Sequence, residues 1–397
     1  MKICVCGLWH LGTVLAGCLA AAGHDVTGFD QNVDGLRRGE PPLQEPGLAE
    51  LIRAVRFTSD REVLRPAEVV WIAWDTPVDD DDRPDVDAVF ARVESLFDFI
   101  DEQALVVVSS QLPAGSVRRL EESCSHRFRF ACAPENLRLG SAIESFTNAS
   151  RMVAGVRDDT ARAVMSAVFA PFGVPVEWMS VESAEMAKHA LNAFLATSIA
   201  FINEIAAVCE ETGADARDVA RALKSDPRIG PRAYLSPGAP FSGGTLARDV
   251  GFLAARAPLL AAVKTSNDRH KNWARAKLLD ALGTLRGKTI ALWGLTYKPG
   301  TDTLRRSGAV DLARWLASEG ARVQAHDPAV SRIPDDVPVA LCSSPADALR
   351  DADALVVATE WPDYRATAIP PGMIVIDPND FLGGREGLRH YSVGHAT

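Results

Sequence analysis

The feature that most constrains this chain is a pattern that occurs twice. A short apolar strand leads into a glycine-led turn, a helix and a second short strand. The first copy takes in Ile3-Cys4-Val5-Cys6, a helix over 13–22, and Asp25-Val26-Thr27-Gly28-Phe29 ending at Asp30. The second starts at Lys288, with strands over 289–293, 322–325 and 355–358 and a helix over 310–318. Parallel strands need a crossover of a dozen or more residues, usually a helix, so each copy predicts a βαβ unit. Strand-like runs over 69–74, 105–109 and 129–133 extend the first copy into a doubly wound, mainly parallel sheet.

Between the copies the pattern changes. One long helix is expected over 182–212, ended by Gly213, with further helices to about residue 287. The fold class that follows is α/β, with two Rossmann-like doubly wound domains joined by a helical central domain. The expected boundaries are 1–180, 181–287 and 288–397. The run Asp79–Asp82 reads as a solvated acidic loop without function.

Composition excludes some partners. A formal charge of −10 over 397 residues argues against nucleic acid and against an anionic membrane, since either selects for a basic face. Seven cysteines without a CxxC read as reduced thiols in a cytoplasmic protein. Met1-Lys2 leads straight into a strand, so no leader is expected. The apolar stretch 190–209 is broken by Asn192, Asn203 and Glu204, which favours a buried helix over a membrane span.

Gly7-Leu8-Trp9-His10-Leu11-Gly12 lies after the first strand and before a helix, where a glycine turn sets a pyrophosphate at the helix N-terminus. Trp9 stands at the second glycine position, so the motif alone is equally an ordinary turn. Asp30 strengthens the reading, because a carboxylate ending the second strand accepts the ribose hydroxyls of NAD and repels a 2′-phosphate. Glu185, Lys188 and Asn192 fall at i, i+3 and i+7 on one helical face. On their own they could be a solvated or dimer-facing stripe.

A series of segments then fixes a resemblance: Gly7 to Gly12; Glu45-Pro46-Gly47-Leu48; Asp75-Thr76-Pro77; and Ser109 to Gly115. It continues with Pro134-Glu135-Asn136-Leu137-Arg138, Ser183 to Asn192, Asp226 to Pro231 and Phe241 to Asp249. Gly294 to Asp302 and Thr359-Glu360-Trp361-Pro362 complete it. In this order, over nearly the whole chain, they resemble the UDP-glucose/GDP-mannose dehydrogenase family. The resemblance implies an NAD-dependent oxidoreductase acting on a nucleotide sugar, most readily a UDP-hexose, and a homodimer formed through the central helix.

It also implies roles. Lys188 and Asn192 would face the reacting carbon and stabilise the oxyanion, Asp249 would work with a water as base, and Glu135 would orient water and substrate. Cofactor contacts would come from Gly7, Trp9, His10, Leu11, Gly12, Asp30, Thr76, Pro77, Ser110 and, from the C-terminal domain, Arg305. Substrate contacts would come from Asn136, Leu137, Arg138, Lys298 and the loop Phe241-Ser242-Gly243-Gly244, whose paired glycines let backbone come close. Arg228 and Arg232 are candidate diphosphate cations or surface charges. No metal is expected.

Departures from the pattern narrow the chemistry. Uronate-forming members carry a cysteine in this loop, which captures the intermediate aldehyde. Counted from Arg248-Asp249, that position is Thr245, and the nearest cysteine in sequence is Cys209. A hydroxyl is a poor nucleophile without a strong base beside it. Arg306 replaces a usual glutamate, and Asp377-Pro378-Asn379-Asp380 a pattern that normally contains arginine. A two-electron oxidation to aldehyde or ketone is therefore expected. The alternatives are full oxidation to the acid without a thioester, and a nucleotide-sugar-binding protein without turnover.

Overall fold

Strands form where both faces are buried and the residues are branched and apolar: Val69–Ile72 reads V-V-W-I, Leu105–Val108 reads L-V-V-V, and all eight side chains are buried. The computed structural model describes residues 1–79, 84–135, 137–242, 245–384 and 386–395. It divides into two compact units, Met1–Leu191 and Asn192–Thr397.

In the first unit the strands are β1 (Lys2–Cys6), β2 (Asp25–Phe29), β3 (Arg56–Thr58), β4 (Val69–Ile72), β5 (Leu105–Val108), β6 (Arg129–Cys132), β7 (Met152–Val156) and β8 (Val176–Met179). They form one sheet in the order β3-β2-β1-β4-β5-β6-β7-β8, with β7 antiparallel to β6 and the other neighbours parallel. Two apolar layers cover it, one around Leu15, Leu19, Trp71 and Phe169, the other around Ile72, Val106, Leu120 and Phe130.

The second unit holds β9 (Thr289–Trp293), β10 (Arg322–His326), β11 (Ala340–Leu341), β12 (Ala354–Val357), β13 (Ile374–Ile376) and β14 (Arg389–Tyr391). Their order is β11-β10-β9-β12-β13-β14, all parallel. In both sheets the first strand of the βαβ unit is central and the chain reverses direction beside it, which places the carboxyl ends of the strands around a crevice.

The expected α/β class, both parallel sheets and the long helix are present. Several limits move. The first helix starts at His10 rather than 13, because Trp9 already adopts the extended N-cap conformation and its carbonyl accepts Thr13 N–H at 3.0 Å. The long helix, Val181–Thr212, is not simply a buried one. It leaves Phe194, Phe201 and Val208 67%, 46% and 54% exposed. By length and composition it could cross a membrane, and less than half of its most apolar window is buried.

Candidate active site

The glycine turn after β1 is built by backbone contact. Gly7 has φ +93°, and a Cβ there would lie 2.5 Å from Trp74 N. A Cβ on Gly12 would lie 1.7 Å from Gly7 O, so helix and turn meet where only hydrogen fits. Trp9 has φ −77°, which any residue adopts, and its side chain is 45% exposed. The missing second glycine is thus not a conformational defect. Leu11 packs at the edge of the core.

Asp30 closes the turn. Its Oδ2 accepts Leu8 N–H and its Oδ1 accepts Gln31 N–H, both at 2.7 Å. Each oxygen keeps acceptor capacity, as a ribose diol requires. Asp30 borders a cleft of about 260 Å³ lined also by Phe29, Arg61, Trp74 and Arg92. At the carboxyl end of β5, the Ser110 Oγ is buried and has no hydrogen-bond partner among the described residues. A turn shaped for close approach, an open carboxylate and an orphaned hydroxyl fit a dinucleotide.

Other expected cofactor residues also make contacts within the scaffold. Thr76 is fully buried and donates its hydroxyl to Gln111 O at 2.6 Å, whereas Pro77 is exposed and its carbonyl accepts Asp85 N–H at 2.8 Å. His10 Nε2 meets Glu45 Oε2 at 2.9 Å, and Glu45 also accepts Gly140 N–H and Ala142 N–H at 2.8 and 2.9 Å. The Glu-Pro-Gly-Leu motif therefore braces the start of the first helix against the 140–142 loop.

Glu135 follows β6 and is partly buried. Desolvation pushes its carboxyl up to about 7, while the Lys188 ammonium pulls the other way. A carboxyl that titrates near neutrality can give and take a proton there. Glu185 has a different job from its helical neighbours. It is buried, and its two oxygens accept Gly115 N–H and Val117 N–H at 2.7 and 2.8 Å, supplying an anion to the start of the helix Ser116–Ser123. Leu137 is partly buried against the core and Arg138 is exposed. Asn136 lies outside the described residues.

In the second unit Asn192 Nδ2 donates to Asp249 Oδ2, and both residues are buried. Thr245 opens the helix Thr245–Ala254 and is exposed, one turn before Asp249. Phe241 is buried and Ser242 partly so; Gly243 and Gly244 lie outside the described residues. Cys209 is buried against Ala206, Ala216 and Val393, and Cys342 borders the C-terminal sheet, so neither thiol belongs to the loop.

What the sequence reading missed is the set of tethers on that loop. Asn267 holds both backbone polar groups of one residue, accepting Phe241 N–H at 2.9 Å and donating to Phe241 O at 3.0 Å. Asn203 accepts Gly238 N–H at 3.0 Å, His270 reaches Gly238 O at 2.8 Å, and Asn379 accepts Ala239 N–H at 2.7 Å. Single polar side chains scattered over helices and a loop carry no spacing signal; Asn203 and Asn379 lay in noted segments, but neither position pointed to this loop.

Lys298 is partly buried in the loop after β9, and Arg305 is exposed. Arg232 is exposed as well, while Arg228 is committed to Asp226 at 2.7 Å.

A parallel sheet with an open carboxylate beside a glycine turn, followed by a second unit of the same kind, defines an α/β oxidoreductase that uses a nicotinamide dinucleotide. Comparison with known proteins sharpens this. Residues 1–173, 182–269 and 291–382 match the NAD binding, central and UDP binding domains of the UDP-glucose/GDP-mannose dehydrogenase family. The chain is 38% identical to UDP-glucose 6-dehydrogenase of Pseudomonas aeruginosa, over 92% of this chain and 89% of that one. It is 32% identical to UDP-glucose 6-dehydrogenase YwqF of Bacillus subtilis, over 99% and 98%. Among solved structures, a UDP-glucose dehydrogenase from Pyrobaculum islandicum superposes with a TM-score of 0.90 at 31% identity, covering 100% of this chain and 98% of that one. The chain belongs to the UDP-glucose/GDP-mannose dehydrogenase family and is an NAD-dependent nucleotide-sugar dehydrogenase of the UDP-glucose 6-dehydrogenase type.

Proposed function

We propose that this enzyme removes one hydride from a UDP-hexose and releases a carbonyl product, the 6-aldehyde or a ring ketone. The observation that carries this is Thr245, a hydroxyl where a thiol would be needed to hold the aldehyde for a second oxidation. Bound NAD supplies the hydride acceptor. The carbinol proton leaves to a base as the hydride departs, so charge develops on oxygen and must be met by donors. Lys188 and Asn192, one turn apart on the helix Val181–Thr212, are the donors we assign to that oxygen.

Asp249 fixes the Asn192 amide by accepting from it, which leaves the amide's second N–H for substrate. Glu135, with its carboxyl at about 7, takes up the released proton, directly or through water. Cofactor contacts are assigned to the glycine turn, Asp30 and Ser110, and Arg305 remains a proposed contact. For the substrate we assign Lys298, the 241–245 loop, the 136–138 segment and Arg232.

Glu135 also supports a second reading. A base of this strength can activate water to form an aldehyde hydrate, from which a second hydride could leave without an acyl-enzyme. Product mass separates the two: after incubation with NAD and UDP-glucose, a mass two below substrate supports the first. A carboxylate, with no mass added to the enzyme, supports the second.

We further propose a homodimer. Phe194, Phe201 and Val208 recur every seven residues along one side of the long helix, and their exposure suits burial by a second copy. The three-part division at 180 and 287 is retained as a proposal. A cytoplasmic location is inferred from seven free cysteines.

A further inference from the structure

The two units contain the same turn, completed in opposite ways. Gly7 N–H donates to Phe29 O at 3.0 Å and Gly294 N–H to His326 O at 2.8 Å, with φ of +93° and +92°. The next N–H, Leu8 or Leu295, donates to an aspartate just past the second strand, at 2.7 Å to Asp30 and 2.8 Å to Asp327. There the likeness ends. Asp30 is partly exposed and has room for further donors.

Asp327 is 3% exposed and crowded. Its Oδ2 receives Leu295 N–H at 2.8 Å, Thr296 N–H and Thr296 Oγ1 at 2.9 Å, and the Trp361 indole N–H at 3.1 Å. Its Oδ1 receives Ala329 N–H at 2.9 Å. Thr359 Oγ1 donates to Thr296 O at 2.7 Å, and Tyr297 N–H to Thr303 O at 3.0 Å closes the loop neck. Four donors saturate Oδ2, a fifth occupies Oδ1, and the group is buried, so a ribose diol cannot reach an acceptor here.

We propose that Asp327 is a positioning residue. Its carboxylate acts as the internal anion of the C-terminal glycine turn, closes that turn to a second dinucleotide, and locks together the Gly294–Asp302 loop and the Thr359–Pro362 loop. The first of these carries Lys298, so the nucleotide sugar meets a preset loop. This rests on the nucleotide-sugar reading above. It also gives a role to Thr-Glu-Trp-Pro, a motif to which no chemistry had been attached.

The test is steady-state kinetics with NAD and UDP-glucose on Asp327→Asn, which keeps the shape but turns an amide N–H toward backbone donors, and on Trp361→Phe, which removes one donor. NAD titration calorimetry accompanies it. The expected result for Asp327→Asn is a KM for UDP-glucose raised about tenfold or more with kcat within about threefold, since the loss falls on substrate binding. Trp361→Phe should raise KM by about two- to fivefold, the weight of one hydrogen bond. NAD should bind once per chain, with unchanged affinity, in parent and variants.

A UDP-glucose KM within twofold of the parent in a variant that still binds NAD normally would overturn the proposal. So would a second NAD per parent chain, or a fall in kcat at constant KM. If Asp327→Asn does not fold, the KM of Trp361→Phe decides. A parent that neither binds UDP nor turns over any nucleotide sugar defeats the functional reading instead, which is a different outcome.

Discussion

Asp30 is the residue at which cofactor choice can be measured most cleanly. Its two oxygens each hold one backbone N–H at 2.7 Å and each face the task of accepting one ribose hydroxyl. A hydrogen bond to a charged group contributes about 1.5–3 kcal/mol, so two together amount to about 3–6 kcal/mol. At about 1.4 kcal/mol per tenfold, Asp30→Ala should weaken NAD binding by roughly two to four orders of magnitude. Asp30→Asn separates the contributions. Its amide oxygen still accepts Leu8 N–H, so the turn keeps its shape while one ribose acceptor and the charge are lost. About one order of magnitude is expected for that change.

Trp74 lines the adjoining cleft, so quenching of tryptophan emission during NAD titration provides the assay, with calorimetry as a check. Removing the charge should also narrow the gap between NAD and NADP, because a 2′-phosphate would no longer meet a carboxylate. NAD affinities within twofold of the parent for both variants would refute the reasoning, and so would a loss of affinity equal for NAD and NADP.

Other outcomes follow from single contacts. Gly12→Ala places a Cβ 1.7 Å from Gly7 O, so thermal stability should fall by about 3 kcal/mol and NAD binding should fall with it. A normal melting temperature would contradict the close approach. Glu185→Ala leaves Gly115 and Val117 N–H groups without acceptors, an expected loss of about 2–5 kcal/mol in urea unfolding, with Glu185→Gln falling between it and the parent.

Glu135→Gln tests the raised carboxyl through the pH dependence of stability. The unfolded chain releases this proton in the ordinary carboxylate range and the folded chain only at about 7, so ionisation favours unfolding as pH rises between those values. The variant should match the parent near pH 4 and melt higher at pH 8. A difference in melting temperature that does not vary with pH would count against it.

Much of the fold was readable because it rests on repeated local rules. A short apolar strand, a glycine turn and a helix recur in order, and parallel pairing follows from the crossovers. β7 and β8 were not read, since Met152–Val156 mixes buried and partly buried positions, Val176–Met179 is only partly buried or exposed, and neither has the continuous buried apolar run of β4 and β5. The long helix was read as buried because periodicity reports an apolar face without saying what covers it.

At the site, Asp30, Lys188, Asn192 and Asp249 could be named from motif position. The tasks of Glu185, Glu45 and Asp327 could not, because each carboxylate gathers backbone N–H groups from segments distant in sequence. Glu185 reaches back 70 residues to Gly115, and Glu45 reaches forward 95 to Gly140. Such partners are set by tertiary packing, which leaves no spacing to read.

The reaction's stoichiometry is the most direct measurement. With limiting UDP-glucose and excess NAD, purified enzyme should form one NADH per sugar consumed, and Thr245→Cys should move toward two as a thiol becomes available to hold the aldehyde. Two NADH per sugar from the unaltered enzyme, with a carboxylate product, would contradict the account.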